Sequence, residues 1–196
     1  MMEEGHPKLA TRRLVVGISG ASGACLGIRL LEVCRSLGIE THLVISAAGA
    51  TTIAQETEWE PGDVQRLASC SYSDNDISAA IASGSFRTQG MVIIPCSIKT
   101  LSAVANSYSE RLLSRAADVT LKEGRPLVLV VRETPLHAGH IRLMSLASDA
   151  GAVIFPPVPA FYAKPQSIQE MVDNTVGRVL SRLGFENDLV REWGAA

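Results

Sequence analysis

From Arg13 onward the chain alternates short apolar runs with longer amphipathic stretches. Residues 13–19 form an apolar run of strand length, followed by a glycine-rich loop and by helical spacing over 24–37 that stops at Gly38. Residues 42–46 read as a second strand and 47–57 as a helix. The turn Glu60-Pro61-Gly62 then opens a polar connection that runs to Gly90 without a readable period. Residues 91–94 predict a third, central strand, 99–105 and 111–122 two helices, and 127–131 a fourth strand. A helix over 139–150 is closed by Gly151, and 152–155 predict a fifth strand. Apolar runs without alternation belong to strands buried on both faces, and their regular exchange with helices marks a parallel sheet between helical layers. The predicted fold is therefore α/β: a three-layer doubly wound parallel sheet, Rossmann-like or flavodoxin-like.

Beyond the fifth strand, Pro156-Pro157-Val158-Pro159 forbids both helix and central strand, because proline lacks the amide and fixes its own φ. Ser167-Ile168-Gln169-Glu170 has the spacing of a capping box, so a last helix starts there. Its apolar positions Ile168, Met171, Val172, Val176, Val179, Leu180 and Leu183 define one buried stripe. Residues 13–196 are thus expected to form a single domain with a C-terminal helix and tail. Residues 1–12, with Glu3 and Glu4 and no apolar stretch, are expected to form a flexible leader and not a secretory signal.

Composition narrows the function classes. Of 196 residues, 46% are hydrophobic and only 19% charged, against roughly 25% charged in an ordinary globular protein. A surface this poor in charge is expected to be partly covered in an oligomer. The net charge of -2 argues against a nucleic-acid binder, which needs a basic face. No apolar run approaches the ~18–20 residues of a membrane span. Cys25, Cys34, Cys70 and Cys96 are isolated, which suits a reducing, cytoplasmic setting and argues against a structural zinc site.

Candidate chemistry gathers at predicted strand ends. The segment Gly17-Ile18-Ser19-Gly20-Ala21-Ser22-Gly23-Ala24 joins the first strand to the first helix, where such sheets bind anions on free helix amides. Its glycines fall three apart, unlike G-x-G-x-x-G, and the second strand ends in Ser46 where a dinucleotide site needs an acidic residue. No Gly-Lys-Ser/Thr follows, which excludes a P-loop. With the hydroxyls of Ser19 and Ser22, the loop suits a monophosphate or a flavin edge, or a plain turn. A second loop, Pro95-Cys96-Ser97-Ile98-Lys99-Thr100, has two hydroxyls, a lysine and a helix start, and reads as a second anion cradle or an ordinary N-cap. Two such loops in one sheet favour a mononucleotide.

Among charged positions, Arg115 and Lys122 share one helical face with Asp118 between them, as a solvated stripe would. Arg132-Glu133 closes the fourth strand at the ligand-bearing edge, while Glu56 falls at a helix end. His137 and His140 lie three apart with no third ligand near, so no metal site is expected. Phe161 and Tyr162 are core or pocket wall, and periodicity does not choose between Arg178 and Arg182. Trp193 is a tryptophan in a tail, of the kind that packs against a neighbouring subunit.

Five segments taken together resemble the UbiX-type flavin prenyltransferases: Gly20-Ala21-Ser22-Gly23-Ala24; Pro95 to Leu101; Arg115-Ala116-Ala117-Asp118-Val119 with Leu121-Lys122-Glu123; Arg132-Glu133-Thr134-Pro135-Leu136; and Pro156 to Tyr162. The resemblance runs from about Arg13 to Trp193. It implies an enzyme that joins a dimethylallyl group, usually from dimethylallyl monophosphate, to N5 and C6 of reduced FMN without a metal. The prenylated FMN would pass to a UbiD-type decarboxylase, as in ubiquinone biosynthesis, and the subunits would assemble as a dodecamer with active sites between chains. Carried over by position, Gly20, Ala21, Ser22, Ser46, Ser97, Lys99, Thr100 and Arg132 would hold FMN. Lys122, Tyr162 and Arg178 would bind the prenyl phosphate, with Arg115 and Glu133 completing that pocket. Ser22 and Glu56 would serve proton transfer, Glu56 as donor to the departing phosphate, and Trp193 would line the prenyl site. Two other readings stand beside this one. A related flavin-dependent cysteine decarboxylase carries Pro-Ala-Ser-Ala-Asn-Thr where this chain has Pro-Cys-Ser-Ile-Lys-Thr; a non-enzymatic FMN carrier would need no second anion pocket.

Overall fold

The structure, a computed structural model, describes residues 12–190. The expected leader lies outside these residues except for Arg12, and so does Trp193. Strands β1 (Arg13–Ile18), β2 (Glu40–Ile45), β3 (Cys70–Ser73), β4 (Gly90–Cys96), β5 (Leu127–Val131) and β6 (Val153–Ile154) form one six-stranded sheet in the order β3-β2-β1-β4-β5-β6. Every neighbouring pair is parallel. This is the doubly wound order in which the sheet grows outward in both directions from β1 and β4, leaving a crevice where their carboxyl ends part.

Seven helices among the described residues cover the sheet: α1 (Ala24–Ser36), α2 (Ala47–Glu56), α3 (Pro61–Leu67), α4 (Ile98–Ala105), α5 (Leu112–Lys122), α6 (Ala138–Asp149) and α7 (Ile168–Arg182). The two-residue period of the strands divides the core. Leu14, Val16, Ile18, Val92, Ile94, Val128 and Val130 face α1 and α7 on one side. Val15, Met91, Ile93, Leu127, Leu129 and Val131 face α4 and α5 on the other. Both faces are therefore dry, which explains the unbroken apolar runs in the sequence.

The helix α1 lies close on the sheet because Gly27 has no side chain: a Cβ there would run into the carbonyl oxygen of Ile94 and the side chain of Ile18. That approach brings the first turn of α1 against the carboxyl end of β4, where the second candidate loop begins.

The structure departs from the sequence reading at several points. The polar connection of residues 60–90 holds α3 and the edge strand β3, whose sequence Cys-Ser-Tyr-Ser alternates between partly buried and exposed positions and has no apolar run to reveal it. Ile168, expected in the buried stripe of the last helix, is 79% exposed; it occupies the first turn of α7, and fully buried positions begin at Val172. Ser167 caps α7 as expected by accepting from the Glu170 amide, yet the Glu170 carboxylate takes the Gln166 amide instead of closing the box on Ser167. Of the cysteines, all free thiols, Cys34 and Cys96 are buried, but Cys25 is exposed. Phe161 and Tyr162 are exposed, with Leu136, Ile141, Leu146 and Val158, and do not belong to the core. No helix among the described residues is long and apolar enough to cross a membrane.

Replacing Gly27 with alanine forces α1 off Ile94 and is expected to lower stability by about 1–3 kcal/mol. Urea unfolding at neutral pH, with an unchanged slope and a lower midpoint, is the check.

Candidate functional site

Three helix N-termini converge where β1 and β4 part, those of α1, α2 and α4, and each is closed differently. At α1 the capping position is Gly23, held at φ +104°, a left-handed conformation that favours glycine. It has no side chain to give, so the carboxylate of Glu56, at the far end of α2, accepts from the amides of Gly23 at 2.8 Å and Ala24 at 3.2 Å. At α2 the Ser46 hydroxyl accepts from the Gly49 amide at 3.0 Å. At α4 the Ser97 hydroxyl accepts from the Thr100 amide at 3.3 Å and donates to Thr100 Oγ1 at 3.1 Å.

The loops are packed together with little room. A Cβ on Gly20 would overlap Ala48, and one on Gly49 would meet the carbonyl of Ile18. Ser19, expected to offer its hydroxyl to a ligand, is instead 1% exposed and bonded within the protein: its Oγ donates to the Pro95 carbonyl at 3.0 Å and accepts from the Ser97 amide at 2.8 Å. Ser22 and Lys99 are exposed, as is Arg132, whose amide donates to the Cys96 carbonyl at 3.1 Å. Gly20, Ala21, Ser22, Ser46, Ser97, Lys99, Thr100 and Arg132 thus stand at one edge of the sheet. The residues present fit an anionic mononucleotide: the amino ends of α2 and α4 and two cations, beside an α1 end already closed by Glu56, with glycine where a side chain would obstruct.

Glu56 is held below its ordinary carboxyl value. Partial burial raises it, but the Gly23 amide, the Ser22 hydroxyl, the Ala24 amide and the nearby Arg132 together outweigh that and lower it. A carboxylate held ionised and bonded to a serine hydroxyl is placed to accept a proton through that hydroxyl.

The prenyl-phosphate residues are divided. Glu133 stands at the same edge as Ser22, its carboxylate accepting from the Thr134 amide at 3.0 Å. Arg178 lies over the Phe155 ring, 5.8 Å from its centroid. It lines a cavity of about 230 Å³ with Phe155, Pro156, Val158, Asn174 and Thr175. Asn174 and Thr175 are buried polar residues on the inner face of α7, a signal that attention to the apolar stripe passed over. Tyr162 sits in the short 3-10 turn Phe161–Ala163 beyond the proline run. Lys122 is elsewhere: it ends α5, ahead of the start of β5, at the amino edge of the sheet, where it pairs with Glu123 at 2.7 Å. Arg115, one helical face above it, pairs with Asp118 at 3.2 Å and bonds the Ala82 carbonyl. One chain therefore does not bring Lys122 to Ser22 or Glu133.

His137 caps α6, accepting from the Gly139 amide, and its ring lies 3.6 Å from that of His140. Among the described residues no group of three His, Cys, Asp or Glu could hold a metal ion. A separate groove of about 420 Å³, lined by Arg35, Glu40 and Arg66, shares no residue with this site.

Comparison with known proteins places these features in a family. Residues 2–180 match the family model Flavoprotein. The flavin prenyltransferase UbiX of Escherichia coli strain K12 is 56% identical over 188 residues, covering 94% of this chain and all of that protein. The mitochondrial flavin prenyltransferase PAD1 of Saccharomyces cerevisiae is 50% identical over 93% of this chain and 75% of its own length. A solved structure of AnUbiX (PadA1) in complex with FMN and dimethylallyl pyrophosphate superposes with a TM-score of 0.93 at 48% identity, covering 95% of this chain and all of that one. A dodecameric FMN-dependent UbiX-like decarboxylase from Escherichia coli O157:H7 gives 0.91 at 47% identity, covering 93% of this chain and all of that one. The cysteine decarboxylase TvaF, at 12% identity and a TM-score of 0.65, shares the fold alone. With most of its length matched at about half identity, the chain belongs to the flavoprotein family and, within it, to the UbiX-type flavin prenyltransferases.

Proposed function

We propose that this enzyme joins a dimethylallyl group from a dimethylallyl phosphate ester to N5 and C6 of reduced FMN, and that its active site is built from two chains. The observation that carries the reading is the Ser22–Glu56 pair set among three helix N-termini with Lys99 and Arg132. Reduced FMN, when bound, supplies the electron-rich positions at which the new carbon bonds form. Gly20, Ala21, Ser22, Ser46, Ser97, Lys99, Thr100 and Arg132 hold it, the amides and cations balancing its phosphate.

The rest of the work falls to the protein's own groups. Departure of an allylic phosphate needs its charge met by fixed cations, and Lys122, Arg178 and the Tyr162 hydroxyl supply that, with Arg115 and Glu133 around them. Allylic cation character left behind is stabilised by an aromatic face, the role of Trp193, which lies outside the described residues. Joining carbon to an aromatic ring position sheds a proton, and Glu56, ionised and bonded to Ser22, takes it up. Because Lys122 stands at the opposite sheet edge from Ser22, it reaches the pocket of a neighbouring subunit. The exposed apolar residues Leu136, Ile141, Leu146, Val158 and Phe161 support such an assembly, which we take to be a dodecamer. The free thiols support a reducing compartment, the cytoplasm, and the resemblance supports a UbiD-type decarboxylase as acceptor of the product.

Anaerobic incubation with reduced FMN and dimethylallyl mono- or diphosphate, followed by mass spectrometry of the released flavin, is expected to yield FMN heavier by one five-carbon prenyl unit. Unmodified flavin with both donors overturns the reading in favour of a carrier.

Glu56→Gln is expected to keep FMN binding and slow prenyl transfer by roughly 10²–10⁴-fold. As the working form is the carboxylate, held below the ordinary carboxyl value by the Gly23 and Ala24 amides, the Ser22 hydroxyl and Arg132, the wild-type rate should hold through mildly acidic pH and fall only on the acid side of an ordinary carboxyl titration. Single-turnover rates across that range test both statements.

Lys122→Ala is expected to raise the concentration of prenyl phosphate required while leaving FMN affinity unchanged. At a prenyl-phosphate concentration too low to sustain turnover by Lys122→Ala alone, oligomers mixed from Lys122→Ala and Glu56→Gln chains should regain activity that neither parent shows there, since some interfaces then pair two intact halves. Mixed oligomers as inactive as their parents would place Lys122 and Glu56 in the same half-site.

A further inference from the structure

The ladder between β1 and β4 ends early. Their pairing runs from Leu14 opposite Gly90 to Gly17 opposite Ile93, and the register between β4 and β5 shifts between Ile93 and Cys96. The reason is in the sequence: Pro95 has no amide, so β4 offers β1 no donor at the point where the two strands part. Beyond it the two strands diverge into the loops that carry Gly20–Ser22 on one side and Ser97–Thr100 on the other. What joins them there is Ser19. Its amide donates to the Pro95 carbonyl at 3.2 Å, its hydroxyl donates to the same carbonyl at 3.0 Å, and that hydroxyl accepts from the Ser97 amide at 2.8 Å. One buried hydroxyl gives the Pro95 carbonyl a second donor and supplies the acceptor needed by the first amide of the second loop.

We infer that Ser19 is a positioning residue for flavin binding, fixing the distance and angle between the two loops that a mononucleotide must touch at once. The inference rests on the flavin site described above. FMN carries a phosphate at one end and a ring system at the other, so it engages both loops and senses their relative placement. Riboflavin, without the phosphate, engages one. Removing the Ser19 hydroxyl strands the Ser97 amide and frees α4 to shift against the Gly20 loop, so the loss falls on ligands that span the two. A residue that merely held the fold together would weaken both flavins alike.

The test is to titrate FMN and riboflavin into the intact oligomer of Ser19→Ala, Ser19→Cys and Ser19→Thr, following flavin fluorescence. The cysteine variant keeps the volume of the side chain and weakens its hydrogen bonds, which guards against a collapse peculiar to alanine. FMN affinity is expected to fall on the order of tenfold in the alanine and cysteine variants, the scale of one stranded buried hydrogen bond. Riboflavin affinity should stay within about twofold of wild type, and the threonine variant, which retains the hydroxyl, should keep the FMN preference. An FMN-to-riboflavin affinity ratio unchanged in both the alanine and the cysteine variants overturns the role. Since the readout is binding, it stands apart from the prenyl-transfer assay: wild-type protein that binds FMN but transfers nothing would refute the enzyme reading and still test Ser19.

Discussion

A proline at the carboxyl end of a central strand sets the problem that the rest of the site solves. Pro95 ends the ladder between the two middle strands and lets their loops part, opening the crevice in which doubly wound sheets hold ligands. Left alone, that opening would leave backbone groups unpaired and the two loops free of each other. The buried Ser19 hydroxyl closes the gap at one point, so that the loops separate from a fixed pivot. Gly27 below it and Gly20 and Gly49 above it then allow α1 and α2 to crowd that pivot as closely as backbone permits.

The same crowding shapes the electrostatics. Helix N-termini attract negative charge, and here one of them is met by a carboxylate reaching from a different helix, 33 residues along the chain. Glu56 is thereby given two jobs, closing α1 and standing ionised beside Ser22. The Arg132 guanidinium, at the end of β5, contributes to the same field and adds to the pull that keeps Glu56 charged. One carboxylate thus both caps α1 and carries the charge beside Ser22, and the position of α2 is tied to the start of α1.

Much of this was legible in the sequence, and the reasons are physical. Central strands buried on both faces must be apolar throughout, so 13–19, 91–94 and 127–131 stood out. Ligand loops in such sheets lie at strand ends, so position alone singles out the Gly20 and Ser97 segments as candidates. The edge strand β3 was missed because only one of its sides is partly covered, and Cys-Ser-Tyr-Ser has the composition of a loop. A sequence shows the Ser19 hydroxyl but not the Pro95 carbonyl and Ser97 amide that it bonds. The assignments of Lys122, Tyr162 and Arg178 came from resemblance, and no periodicity within one chain could have joined residues that lie at opposite edges of its sheet.

The two borders of the sheet are unlike its middle. β3 has four residues and β6 only two, and neither offers a long row of free backbone groups. Such borders are poor templates for another strand, which protects the chain from edge-to-edge growth into ribbons. Any association between copies is thereby directed away from hydrogen-bonded strand addition and toward side-chain packing of helices and loops.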